Sequence, residues 1–339
     1  MKKRDQTWII AGVAAGAVLG AAAVGLVRSR QRREVLARRA GPLTREVVAG
    51  LEIPAESRWI QAGDVQLHAV EAGPEDGPLV LLLHGFPECW YSWRHQIGRL
   101  AGEGYRVVAL DQRGYNLSDR PRGVEYYQID QLTADIQAVI RSLGREKAIV
   151  VAHDWGGAVA WRFAMDYPEA VERLVVMNAP HPVVFAKALA SDWSQRLKSW
   201  YMLVFQLPWL AETLLMLSPA GTARLLFRGT AIRRQAFSDE DLEVMAAAMA
   251  QPGAMKCMID WYRAAFRYRA ARRARPIEVP TLLIWAEDDV ALGVPLTHGL
   301  ERWVPDLELH YIANCGHWVQ NEAAEEVNER MISFLQAES

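Results

Sequence analysis

The sequence predicts an α/β fold: a mostly parallel sheet with helices on both faces, one inserted helical segment, and an apolar helix ahead of it all. Three observations predict it. Continuous apolar runs such as LVLLLHG (Leu79 to Gly85) and KAIVVAH (Lys147 to His153) suit strands buried on both faces. Stretches of helical period separate such runs, as crossovers between parallel strands require. From about residue 181 to 275 the strand-like runs stop, and Trp, Leu, Met, Arg and Ala predominate.

The elements follow in chain order. Residues 1–6 are a basic flank with Lys2, Lys3 and Arg4. Thr7 to Val27 carry no charge, and a helix of that length spans roughly 30 Å, one bilayer core. The stretch reads as an uncleaved transmembrane anchor. A cleaved signal peptide is the alternative, with a shorter apolar region and a small-residue cleavage site. The larger basic excess after the span (Arg28, Arg30, Arg32, Arg33, Arg38, Arg39) predicts a single-pass N-terminal anchor with the globular part in the cytoplasm. Gly12, Gly16 and Gly20 fall four apart, a spacing that an Ala/Gly-rich span contains without any helix partner.

Residues 28–57 read as a basic, helical connector ending near Pro54. The first part of the core is expected over 58–180. RWIQAGDVQLHAVEAG (Arg58 to Gly73) alternates and turns at Ala62–Gly63–Asp64, as a hairpin does. RVVALD (Arg106 to Asp111) and RLVVMNAP (Arg173 to Pro180) read as strands. Ile129 to Gly144 and Gly156 to Pro168 read as helices stopped by glycine and proline. The helical insert, 181–275, falls between two strands and is expected as a lid over the C-terminal edge of the sheet, where ligands bind in open α/β folds. The second part of the core, 276–339, holds the strands Thr281 to Asp289 and Leu307 to Ile312 and an amphipathic helix over Asn321 to Gln336.

The composition narrows the chemistry. The 339 residues are 51% hydrophobic and 23% charged, enough apolar material for a large core. A formal net charge of −2 gives no reason to expect a nucleic-acid partner. Cys89, Cys257 and Cys315 are far apart and odd in number, so neither a disulfide framework nor a thiolate metal site is expected. The histidines lack metal-ligand spacing, and no metal or cofactor is expected. The composition sets no oligomeric state.

VVAHDWGGAVA (Val150 to Ala160) is a strand–turn–helix with a carboxylate at its apex. Small residues must flank a nucleophile on so sharp a turn, and Ala152, Gly156 and Gly157 supply them. Taken alone, Asp154 reads equally well as a helix N-cap. Its surroundings favour a nucleophile. An acid and a histidine follow in chain order, each just past a strand: Asp288–Asp289 and His317. HGFPE (His84 to Glu88) follows the third strand, where the Phe86 N–H would pair with that of Trp155 to make an oxyanion hole. Pro87 in this loop makes a cis bond an option.

With these residues in view, the chain from Arg58 onward resembles the epoxide hydrolases of the α/β-hydrolase superfamily. The likeness lies in HGFPECWYSWRHQI (His84 to Ile97), DQRGYNLSDRP (Asp111 to Pro121), HDWGG (His153 to Gly157) and CGHW (Cys315 to Trp318). It implies an Asp154 nucleophile, and two lid tyrosines that bind the epoxide oxygen. YMLVFQLPW (Tyr201 to Trp209) and DWYRA (Asp260 to Ala264) match the tyrosine motifs at Tyr201 and Tyr262. The family pattern places the acid at Asp289, with Asp288 as a surface neighbour. One departure is Ala152, where the family usually has Gly; alanine is small enough for the elbow to survive.

The resemblance implies hydrolysis of a small apolar epoxide by water to a vicinal diol, with His317 and Asp289 activating the water. Phe86, Trp155, Phe205 and Trp318 are expected at the substrate, with Trp193, Trp200 and Trp209 as further aromatic walls. Haloalkane dehalogenase, which shares the Asp nucleophile, is the alternative. It requires a second halide donor, often Asn, where Phe86 stands, and has no use for two tyrosines. A catalytically silent, membrane-tethered binding protein is another; such scaffolds commonly lose a triad member, and none is missing here.

Overall fold

The computed structural model describes residues 24–50, 53–268, 270–271 and 273–337. The expected span Thr7–Val27 lies outside them over residues 7–23. Among the described residues no helix is long and apolar enough to cross a membrane.

The chain enters through α1 (Val24–Gly50), then the hairpin β1 (Ala55–Ala62) and β2 (Val65–Ala72). The hairpin is antiparallel, with Ala62 opposite Val65 and Gly63 at a φ of 61°, as a two-residue turn requires. There follow β3 (Leu79–Leu83), α2 (Arg94–Gly102), β4 (Arg106–Leu110), α3 (Ile129–Ser142), β5 (Ala148–His153), α4 (Asp154–Asp166) and β6 (Val171–Met177). After the insert come β7 (Thr281–Ala286), β8 (Leu307–Ile312), α12 (Val319–Glu322) and α13 (Ala324–Gln336).

The eight strands form one sheet in the order β1-β2-β4-β3-β5-β6-β7-β8. β2 pairs antiparallel to β4, and every pair from β4 to β8 is parallel. The central strands are apolar on both faces because helices cover both. All of Leu79–Leu83 is buried, and each such leucine contributes about 2 kcal/mol by leaving water. α3 shows how a covering helix is specified: Leu132, Ile136, Val139 and Ile140 make one buried stripe.

The insert between β6 and β7 holds α5 (Pro182–Ser191), α6 (Trp193–Lys198), α7 (Tyr201–Val204), α8 (Leu210–Met216), α9 (Pro219–Ala223), α10 (Asp239–Met249) and α11 (Ala254–Arg267). It has no strand among the described residues, as its composition predicts. Pro182 and Pro219 open α5 and α9, where a missing N–H costs nothing. Ser238 and Asp241 close a reciprocal capping box at the start of α10.

Three local readings are corrected. The helix Arg94–Gly102 was not expected, because its buried positions include Gln96 alongside Ile97 and Leu100. α4 begins at Asp154 rather than Gly156. The terminal helix is two pieces, broken at Ala323. α1 ends at Gly50, near the expected Pro54, and packs on α10: Arg39 pairs with Glu243, and Gln251 Nε2 donates to Ala37 O at 2.6 Å.

Candidate active site

Three loops at the C-terminal edge of the sheet converge. Asp154 follows β5 and takes a φ of 49°, in the left-handed region. Such backbone is held only where the surroundings dictate it. Here they do: a Cβ on Gly156 would fall 2.1 Å from Leu83 O, and one on Gly85 would fall 2.5 Å from the Asp154 Cβ. Ala152 is fully buried beneath the turn, and the elbow forms with it in place.

Phe86 N–H donates to Asp154 Oδ1 at 2.8 Å. The Phe86–Pro87 bond is cis. The N–H of Trp155 belongs to the first turn of α4, which no carbonyl within the helix can reach. On the other side, His317 Nε2 stands 3.7 Å from Asp154 Oδ2. Its Nδ1 stands 2.7 Å from Asp289 Oδ2, and Asp289 is almost wholly buried. Asp289, not Asp288, is thus the partner of the histidine.

The electrostatics follow from this packing. Burial by itself pushes the His317 imidazole down. The Asp289 carboxylate beside it, the bond between them and the charge of Asp154 overturn that and lift it to about 9. Burial likewise raises Asp289, but His317, Asn178 and the Leu292 N–H hold it below the ordinary carboxylate range.

The insert brings two tyrosines over this edge. Tyr201 and Tyr262 lie with ring centroids 6.0 Å apart. Burial raises both phenols, with Asp154 adding to it. The neighbouring Tyr262 tempers the rise at Tyr201, and the Trp155 indole does so at Tyr262. Both therefore stay protonated donors near the carboxylate.

The α/β hydrolase fold family model matches residues 78–324. The chain is 43% identical to epoxide hydrolase 1 of Caenorhabditis elegans over 284 residues, covering 83% of this chain and 70% of that one. It is 38% identical to human epoxide hydrolase 4, covering 83% and 78%. It is 41% identical to the AB hydrolase superfamily protein YfhM of Bacillus subtilis, covering 82% and 97%. The inhibitor-bound crystal structure of Bacillus megaterium epoxide hydrolase superposes with a TM-score of 0.77 at 32% identity, covering 83% of this chain and all of that one. The chain belongs to the epoxide hydrolase family of the α/β-hydrolase superfamily.

In this epoxide hydrolase five aromatic rings form a box over Asp154. Phe86 and Trp155 meet Tyr262 at centroid distances of 5.2 and 4.8 Å. Phe205 meets Phe86 at 5.4 Å, Tyr201 at 5.6 Å and Tyr262 at 4.8 Å. Edge-to-face contact keeps such rings rigid. Trp318 does not join them. It packs on His317 at 4.8 Å and on Phe227 of the lid at 4.7 Å, and its indole donates to Leu226 O and Thr230 Oγ1. Trp193 and Trp209 are not walls either: they face away from the core and are exposed.

Several polar residues of the hydrolase escaped the sequence reading. Asn178, at a φ of 41° just past β6, donates to Asp289 Oδ2 at 2.7 Å and accepts from Ala286 N at 3.0 Å. Glu88 and His153, both fully buried, meet at 2.8 Å, and Glu88 also accepts from Gly85 N–H and pairs with Ser92. From the lid, Gln195 Nε2 donates to Ala291 O and its Oε1 accepts from Gly293 N–H, while Lys198 donates to Asp289 O. The family-like HGFPE segment was the one signal for Glu88; Asn178 and Gln195 have none in one dimension.

Proposed function

We propose that this epoxide hydrolase opens an apolar epoxide through a covalent ester on Asp154 and releases a vicinal diol. The observation that carries the reading is the pair of protonated tyrosines facing a carboxylate that already has a histidine and an N–H donor on either side. A halide leaving group needs no proton; an epoxide alkoxide does.

Asp154 Oδ1 is held by Phe86 N–H, which leaves Oδ2 to attack the ring carbon in line with the breaking C–O bond. The Tyr201 and Tyr262 hydroxyls hydrogen-bond the epoxide oxygen, and one gives it a proton. That proton is made good from the His317 imidazolium, which leaves the ring neutral. Forming the ester removes the Asp154 charge, one of the causes that hold the proton on His317. The neutral ring, oriented by Asp289, then takes a proton from water as the water attacks the Asp154 carbonyl carbon. Phe86 N–H and Trp155 N–H hold the oxyanion. Collapse returns the carboxylate and the diol. Phe86, Trp155 and Phe205 are the apolar walls of the bound substrate.

Trapping tests the reading. His317→Gln, given an aryl epoxide, should accumulate an adduct whose added mass equals that of the epoxide. In a single turnover in ¹⁸O water the label should enter Asp154 and not the diol. Label in the diol would instead mean direct attack by water and overturn the ester.

We also infer that the uncharged stretch Thr7–Val27 anchors the domain in a membrane, with the domain on the cytoplasmic side. Its length and basic flanks support this. Retention in the membrane pellet after alkaline carbonate tests it.

A further inference from the structure

The lid leaves large apolar side chains in water between Trp193 and Leu210. Trp193 is 68% exposed, Leu197 50%, Leu203 64%, Leu207 50%, Trp209 80% and Leu210 41%. Single exposed leucines are ordinary, but six in so short a stretch are not. Trp193 and Leu197 stand one turn apart on α6. Trp209 takes a φ of 61°, in the left-handed region that bulky residues rarely adopt, and its ring stands in water.

We propose that this face of the lid docks into the headgroup and upper acyl region of a phospholipid bilayer. The proposal rests on the reading of Thr7–Val27 as an anchor. Three observations name lipid as the occupant. First, α1 runs beside this part of the lid: Arg33 and Ala37 share a cleft of about 550 Å³ with Thr213 and Met216 of α8, one to two turns beyond Trp209. The part of α1 around Arg33 and Ala37 therefore lies on the same side of the molecule as the patch. Second, the patch pairs tryptophan with leucine, the composition of helices that lie in the membrane interface. Third, no Asp or Glu occurs from Trp193 to Ala211, where Arg196 is exposed, and α1 adds Arg33 and Arg38 against Glu34. That charge suits an anionic leaflet.

The arrangement has a bearing on substrate supply. α7 is only Tyr201–Val204 long, with Tyr201 turned to the nucleophile and Leu203 turned out. An apolar epoxide dissolved in the leaflet would lie one helix thickness from the hydroxyl that binds it.

The test uses the full chain in phosphatidylcholine vesicles containing phosphatidylglycerol. The native cysteines are buried, so single nitroxides can be placed at Leu203→Cys, Trp209→Cys and, as a reference, Asp76→Cys, exposed at the opposite end of the sheet. Expected is co-flotation with the vesicles. At 203 and 209, collisions with a water-soluble nickel chelate should be at least about fivefold fewer than at 76, while collisions with oxygen rise. Flotation with 203 and 209 as open to the chelate as 76 overturns the docking and leaves the anchor standing. Protection from both reagents means a protein contact such as a second copy, and also overturns it. Failure to float overturns anchor and docking together.

Discussion

His153 Nδ1 lies 2.8 Å from Glu88 Oε2, and its Nε2 lies 2.8 Å from the main-chain oxygen of His317. Burial works against the Glu88 charge, but His153 and Ser92 hold the carboxyl down at about 2. His153 bridges the Glu88 carboxylate and the main chain of His317. The residue before Asp154 thus fastens the loop that carries His317. Removing one partner of a buried pair leaves the other uncompensated. Glu88→Gln should lose about 3 kcal/mol of stability, read from the urea midpoint. It should also slow ester hydrolysis more than ester formation, so that the alkyl-enzyme accumulates. Equal slowing of both steps would sink the link to His317.

The two tyrosines should act on the first half-reaction. Tyr201→Phe and Tyr262→Phe should each slow ester formation by about 10²-fold, the usual scale for losing a general acid. If both hydroxyls hold one oxygen, the double variant should be slower than either but less than their product. Stopped-flow quenching of tryptophan fluorescence, with Trp155 packed on Tyr262, gives the rate.

Asn178 should act on the second. Asn178→Ala removes a donor from the buried Asp289 and an acceptor from Ala286 N–H, a cost of about 2 kcal/mol. Ester formation should be spared and hydrolysis slowed. Quenched single turnovers with mass detection of the adduct separate the two.

The fold binds the His317 proton more tightly than the unfolded chain does, since its value rises from 6.5 to about 9. This stabilisation is complete below about 6.5 and fades as pH rises through 9. The urea midpoint of the native chain should therefore fall between these values by more than that of His317→Gln. Parallel profiles for the two would refute the assignment.

The places of Asp154, Asp289 and His317 were legible in sequence because each follows a parallel strand. An apolar run locates the strand, and the next few polar residues must then stand at its C-terminal edge. Asp289 was separable from Asp288 only through the family pattern; in space Asp289 alone reaches His317. Lid tryptophans misled, because short helices joined by tight turns give no long period from which to tell the inward face. Trp209 illustrates this: it is exposed, itself a left-handed residue between two short helices. Glu88, His153 and Asn178 are polar residues whose meaning lies in partners far along the chain, as with Asn178 and Asp289 at a separation of 111.

Gln195 and Lys198 grip the stretch from Asp289 to Gly293 from above. They stand on the helix just ahead of the one that carries Tyr201. If that helix lifts to let diol out, it drags the main chain that seats the acid, and the imidazole loses its orienting partner while the cleft is open. The roof and the seat of Asp289 are thus one mechanical unit, and the orientation of the imidazole depends on where that helix rests.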